Sequence, residues 1–385
     1  MSAFEFATAT RIVFGPGSIK EAAPAAKSFG ARVLVVTGKT SKRAEALLAG
    51  LKAAHLEYGA FQVPEEPTTE MVMRGADEAR KQRCEVVIAF GGGSVIDAGK
   101  AIAALITNDG RLLDYLEVIG KGKALEKSAA PLIAIPTTAG TGAEVTRNAV
   151  LSSPEHRVKV SLRSPFLLPR LAIVDPELTY DLPPHLTAFT GLDALTQLIE
   201  AYLSIRANPL TDALCVEGIS RAARSLPQAF GKGGKEGRED MALASLFSGL
   251  ALANSGLGAV HGFAAPIGGM FHAPHGAVCA ALLPPAMHVN LRALRQRQPC
   301  SPILPRFDFI AGLLTGDKAA AAEDGIQWLY QLTRDFQVPG LREHGIREEH
   351  VAEVSAKAGL ASSMKGNPLP LNSAEREQIL REALG

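Results

Sequence analysis

Glu85-Val86-Val87-Ile88-Ala89-Phe90 runs straight into Gly91-Gly92-Gly93-Ser94-Val95-Ile96-Asp97-Ala98-Gly99-Lys100. The first six residues form a short, β-branched, apolar run, which reads as a buried strand. Three glycines then make a turn, and a helical pattern continues through Leu105. A strand, a glycine turn and a helix N-terminus in that order suit a phosphate group. Glycine lets the backbone approach closely, and the first helical turn offers free N–H groups and the positive end of the dipole. Ser94 adds a hydroxyl, and Asp97 suits the first helical turn. The segment departs from GxGxxG because position 96 is Ile. A tight turn with no ligand accounts for the same residues.

The same alternation extends on both sides. Arg32–Thr37 (RVLVVT) is followed by Gly38 and a helical pattern over residues 41–54, and Pro131–Pro136 and Leu171–Val174 are further strand-like runs. Strands alternating with helices predict a mostly parallel sheet covered on both faces. After Asp175–Glu177 the strand-like runs largely stop. Thr187–Ser204, Pro209–Ser225 and Arg238–Ser255 carry apolar residues at three- and four-residue steps, as packed helices do. Pro183 and Pro184 stand near the change. We therefore expect an α/β, Rossmann-like dinucleotide-binding domain over residues 1–180 and an all-α domain over 181–385, in keeping with a chain of 385 residues.

Bulk properties exclude several function classes. Forty basic and 39 acidic side chains leave a net charge of +1, so no general field draws nucleic acid or an anionic membrane. No stretch of eighteen apolar residues predicts a membrane span, and the N-terminal residues do not read as a signal peptide. Cys84, Cys215, Cys279 and Cys300 are scattered without a CxxC pair. They read as reduced, mostly buried thiols of a cytoplasmic protein rather than as a disulfide framework or a cysteine zinc site.

Pro136–Thr146 (PTTAGTGAEVT) is a second cofactor candidate after a strand. Its threonines and glycines can bond ribose, phosphate or amide groups, and they can equally cap a helix. Asp193 and Gln197 are four apart in a helical stretch, hence on one face. His261 and His275 stand in small, apolar surroundings where a charge is expensive. A carboxylate with two imidazoles suits Zn²⁺ or Fe²⁺ and leaves a position for a substrate oxygen. Taken singly, each is also an ordinary turn or helix residue.

Jointly these segments resemble the iron-containing alcohol dehydrogenase family. Residues 91–100 resemble its pyrophosphate loop and 136–146 its second cofactor segment. Residues 191–204 (GLDALTQLIEAYLS) and 258–276 (GAVHGFAAPIGGMFHAPHG) resemble its two metal-bearing segments, and 363–372 (SMKGNPLPLN) its C-terminal motif. The similarity runs in order over nearly the whole chain. It implies a dehydroquinate synthase-like architecture, with a metal in the cleft between two domains. It also implies an NAD(P)-dependent alcohol dehydrogenase or aldehyde reductase acting on small alcohols and aldehydes, and a homodimer. The implied metal ligands are Asp193, Gln197, His261 and His275. The implied cofactor contacts are Gly38, Gly92, Gly93, Ser94, Asp97, Thr137, Thr138, Thr141, Thr146 and Lys159.

Three positions depart from the family pattern. Position 197 is usually His and here is Gln, whose amide oxygen is a weaker and harder donor. Position 265, often His, is Ala. Gly38 stands where many NAD-preferring relatives carry Asp, which would repel a 2′-phosphate. With Lys39, Lys42 and Arg43 nearby, NADPH is expected to be accepted. Ribose hydroxyls, water and His272 are the candidate proton carriers. A polyol dehydrogenase or maleylacetate reductase of the same fold remains open. So do a dehydroquinate synthase-like lyase, which would need more cationic residues, and a cofactor-binding protein without turnover.

Overall fold

The protein is described here as a computed structural model covering residues 3–156, 158–231, 234–271 and 273–385, with the backbone only at 41 and 42. Two compact units emerge. One is Ala7–Asp181, and the other runs from Leu182 to Gly385 and takes in the N-terminal segment up to Phe6.

The first unit is built on a six-stranded, all-parallel sheet. Its strands are β1 (Ile12–Phe14), β2 (Arg32–Thr37), β3 (Glu57–Gln62), β4 (Val86–Gly91), β5 (Leu132–Pro136) and β8 (Leu171–Val174), in the order β1-β8-β5-β4-β2-β3. A separate antiparallel hairpin pairs β6 (Asn148–Ser153) with β7 (Val158–Arg163). The four strand-like runs of the sequence are β2, β4, β5 and β8, which lie inside the sheet. Their residues are almost wholly buried because helices cover both faces. β1 and β3 are the two edge strands: β1 is an apolar run of only three residues, and β3 mixes polar and apolar residues. The helical pattern after Gly38 resolves into a short 3₁₀ turn, Ser41–Ala44, and the helix Glu45–Ala53.

Strand order decides where a ligand can sit. The chain leaves β2 for β3 on one side and returns to β4 on the other. Strand register brings Thr37 beside Phe90 and Gly91 beside Pro136. Gly38, Gly92 and Thr137 thus leave the sheet together at its carboxyl edge. That is the switch point at which open α/β sheets bind ligands.

The second unit is helical among the described residues. Its central helix, Pro184–Leu203, is buried on every side from Gly191 to Leu203. Helices Pro209–Gly231, Lys235–Ser255 and His275–Arg297 pack around it. Close approach needs glycine: a Cβ on Gly191 would come 2.2 Å from Leu226, and one on Gly218 2.6 Å from Leu198. Among the described residues one unbroken helix, His275–Arg297, is long and apolar enough to cross a membrane, but 83% of its most apolar window is buried inside the protein. Neighbouring helices already cover that surface.

Candidate metal centre and cofactor face

Helix Pro184–Leu203 carries Asp193, Gln197 and Glu200 on successive turns. Helix Ala259–Phe271 carries His261 in its first turn, and helix His275–Arg297 begins at His275 and carries Cys279 one turn later. The fold brings Asp193, His261, His275 and Cys279 together, with one donor atom of each within 4.8 Å of the others. Nε2 of His261 lies 3.3 Å from Oδ1 of Asp193, and Nε2 of His275 lies 3.6 Å from the same oxygen. The Cys279 sulfur is 3.9 Å from Nε2 of His261 and 3.7 Å from Nε2 of His275.

Glu200 sets the orientation of His261. One of its oxygens accepts from the backbone N–H of Val260 at 2.6 Å, and the other lies 2.6 Å from Nδ1 of His261. A carboxylate can only accept there, so Nδ1 carries a proton and Nε2 is turned toward Asp193. Asn367 adds a second clasp. Its Oδ1 accepts from the N–H of Ala259 at 3.0 Å, and its amide pairs with that of Asn290. Two of the helix's free N–H groups thereby find side-chain partners.

This arrangement demands a positive charge. Oδ1 of Asp193 is buried and accepts no hydrogen bond, while two imidazole nitrogens point toward it. A bare Nε2 facing a carboxylate oxygen is an acceptor against an acceptor, so a proton or a cation must lie between them. The titration behaviour reflects this. Burial works against charging His261, but Cys279, Asp193 and Glu200 hold its pKa well above the ordinary histidine value. Cys279 likewise raises His275, against the effect of burial. Burial would raise the carboxyl of Asp193, yet the charges of His275 and His261 keep it low.

Donors bound to one tetrahedral ion at about 2.0–2.3 Å lie about 3.3–3.8 Å apart. Three of the four separations given above fall in that range, and the fourth, 3.9 Å, lies just beyond it. The donors therefore fit a divalent metal, and the side chain of His275 remains 38% exposed, which leaves one side of the centre open.

Gln197, expected among the ligands, is buried, and its Oε1 accepts from the Ser248 hydroxyl at 2.7 Å. Ala265 is exposed on the helix that carries His261. His272 lies outside the described residues. Sequence reasoning left out Glu200, Asn367 and Cys279. Two of these had a local signal: Cys279 is four residues after His275, and Glu200 is seven after Asp193, so each shares a helix face with a candidate ligand.

At the carboxyl edge of the first unit's sheet, helix Gly93–Thr107 starts without any side-chain cap, in contrast to helix Thr69–Lys81, which Thr68 caps. Its first N–H groups are thus available to an anion. Gly92 has ordinary extended backbone, so the glycines here answer to space: a Cβ on Gly91 would lie 2.5 Å from Val95, and one on Gly93 2.8 Å from Thr141. The N–H of Thr137 donates to Gly91 O at 3.0 Å, which holds the loops after β4 and β5 side by side. Gly92 faces Thr138, and Gly38 sits 3.8 Å, by its Cβ position, from Val95. Gly38, Gly92, Gly93, Ser94, Thr137, Thr138 and Thr141 therefore share one edge.

Three other expected contacts are engaged within the protein. Thr146 accepts from the fully buried Lys100 at 2.7 Å. Asp97 lies 3.7 Å from Lys100 and accepts from the N–H of Val150 at 3.1 Å. Lys159 pairs with Glu66 at 2.5 Å. Burial lowers Lys100 to about 8, against the pull of Asp97 and Glu144. Burial raises Glu144 to about 7, opposed by its backbone hydrogen bond and by Lys100. Of the basic residues after Gly38, Arg43 is held by Asp181 at 2.7 Å and by Leu178 O.

Residues 9–176 match the family model described as iron-containing alcohol dehydrogenase, and residues 187–384 match the model for the C-terminal part of that family. The 1,3-propanediol dehydrogenase of Klebsiella pneumoniae is 37% identical over 382 residues, with 96% of each chain covered. A solved 1,3-propanediol oxidoreductase superposes with a TM-score of 0.91 at 35% identity, covering 99% of this chain and 100% of that one. The sulfoacetaldehyde reductase of Bifidobacterium kashiwanohense, solved in complex with NAD⁺, superposes with a TM-score of 0.87 at 28% identity, covering 100% and 99%.

Proposed function

The chain belongs to the iron-containing alcohol dehydrogenase family and is a nicotinamide-dependent alcohol dehydrogenase/aldehyde reductase, and we propose that its chemistry is centred on Asp193, His261 and His275. The observation that carries this reading is the buried, unbonded Oδ1 of Asp193 facing two imidazole nitrogens. These residues would hold Fe²⁺ or Zn²⁺. When bound, the metal supplies Lewis-acid polarisation of a carbonyl or alcohol oxygen, and the nicotinamide supplies or accepts the hydride.

The protein's own groups position the reactants. Glu200 fixes the proton on Nδ1 of His261 and presents Nε2. Asp193 contributes the buried negative charge. The open side of His275 leaves a substrate oxygen a way to the centre. The pyrophosphate of the cofactor would rest on the uncapped start of helix Gly93–Thr107, with Gly38, Gly92, Gly93, Ser94, Thr137, Thr138 and Thr141 along the same edge. Asp97, Thr146 and Lys159 support that edge through Lys100 and Glu66. Gly38 places no carboxylate against a 2′-phosphate, so NADPH is accepted along with NADH.

Substrates would be small aldehydes and their alcohols, 1,3-propanediol among them, by likeness to the relatives. The balanced charge and free thiols favour a cytoplasmic enzyme, and the family resemblance a homodimer, which sedimentation would test. The deciding experiment strips the protein with chelator and reloads it separately with Fe²⁺ and Zn²⁺. NADH and NADPH oxidation are then followed with a panel of short aldehydes. Metal-dependent turnover supports the reading. No turnover with either metal and either coenzyme refutes it.

A further inference from the structure

We propose that Cys279 is a thiolate donor to the metal and completes the centre in place of the imidazole that the resemblance assigns to position 197. The inference rests on reading Asp193, His261 and His275 as metal donors, and extends that set by one residue.

Four observations carry it. Cys279 lies one turn after His275 on a fixed helix, is fully buried, and directs its sulfur at the imidazole nitrogens of His261 and His275, 3.9 and 3.7 Å away. Those separations are within a few tenths of an ångström of the ~3.6 Å sulfur–nitrogen edge of a tetrahedron around one ion. Asp193, His261 and His275 alone leave such a tetrahedron one protein donor short, and the Cys279 sulfur lies within 4.8 Å of a donor atom of each. Gln197 is turned to Ser248 at 2.7 Å, so the helix position that usually brings an imidazole is tied to a neighbour. Cys215 provides the contrast. It is equally buried, is in no such cluster among the described residues, and burial pushes its thiol far up.

The step is a simple exchange. The sulfur–hydrogen bond breaks, the metal–sulfur bond forms, and the proton leaves to solvent. Two anionic donors, Asp193 and Cys279, then balance a divalent charge. Thiolate is a soft ligand and favours Zn²⁺ over harder ions more than an all-oxygen-and-nitrogen set does. Zinc can accept a fifth donor, so four protein donors still leave the open side of His275 usable.

The test uses full-length protein with Cys300→Ser, which removes the exposed thiol. The protein is stripped and reloaded with Co²⁺, and its near-ultraviolet spectrum and metal affinity are recorded. The expected result is an intense sulfur-to-cobalt charge-transfer band. Cys279→Ser should lose that band and bind Zn²⁺ about tenfold more weakly or worse. It should keep the helical circular dichroism of the parent. Gln197→Ala should retain the band. If Co²⁺ binds without the band, or if Gln197→Ala weakens binding while Cys279→Ser does not, the proposal for Cys279 is overturned and the three-residue centre stands. If the parent takes up neither Co²⁺ nor Zn²⁺, and Asp193→Asn changes nothing, the metal reading itself falls.

Discussion

Oε2 of Glu200 lies 2.6 Å from Nδ1 of His261, and the other oxygen of the same carboxylate receives the backbone N–H of Val260. One buried side chain therefore sets both the ring and the helix start that carries it. Glu200→Gln keeps the shape and one acceptor but offers only a neutral partner to the imidazole. Metal affinity should fall about 10- to 100-fold, and kcat/KM should recover when metal is added in excess. Retention measured by dialysis against a graded chelator series checks this. Unchanged retention would show that Glu200 serves only the fold.

Gly276 follows His275 and packs against backbone: a Cβ there would lie 2.5 Å from the carbonyl oxygen of Phe189. A carbonyl in a helix cannot yield as a flexible side chain can. Gly276→Ala should cost about 1–3 kcal/mol of stability by overpacking and displace His275. Thermal melting and bound metal should drop together. A variant that melts like the parent and holds its metal would contradict the close packing.

Glu144 is protonated well above the ordinary range, with a folded pKa of about 7 against an ordinary value of 4.5. Between these values the folded chain keeps a proton that the unfolded chain has lost. The stability this proton contributes is fully present below pH 4.5 and is lost as the pH rises through 7. The window is worth about 3 kcal/mol. Glu144→Gln removes the titration, so its stability relative to the parent should climb by about that amount between pH 4 and pH 8. Denaturant unfolding at several pH values measures the difference, and a flat difference would mean that Glu144 ionises in place.

A Cβ on Gly38 meets only Val95, at an ordinary 3.8 Å, and its backbone lies outside the left-handed region. Gly38→Asp should therefore fold normally while placing a carboxylate at the sheet edge. The ratio of kcat/KM for NADPH over NADH should fall by at least about tenfold, the scale of one charge contact of about 1.4 kcal/mol. An unchanged ratio would separate coenzyme choice from this position.

What could be read from the sequence follows a physical line. β2, β4, β5 and β8 are covered on both faces, so burial writes itself as unbroken apolar runs. β1 and β3 are edge strands with partly exposed faces; β1 leaves an apolar run of only three residues and β3 a mixed one. Asp193, His261 and His275 could be named because charged groups stand out among small and apolar neighbours. Glu200 and Cys279 left only a shared helix face with Asp193 and His275 as a signal, and Asn367 left none: it caps a helix 108 residues earlier in the chain, and no local pattern reports that. The basic cluster after Gly38 shows the converse. One of its members, Arg43, is committed to Asp181 and Leu178.

The Asn367 clasp gives the centre a place in time. Asp193, Glu200, His261, His275 and Cys279 have all been synthesised by residue 279, but Asn367, the second clasp on the helix under His261, is added 88 residues after Cys279. Until the SMKGNPLPLN segment emerges, the helix start that carries His261 has only its Glu200 clasp to rely on. If these residues hold the metal as proposed, a ribosome-bound chain stalled before Asn367 should carry every donor and yet bind metal more loosely than the whole chain.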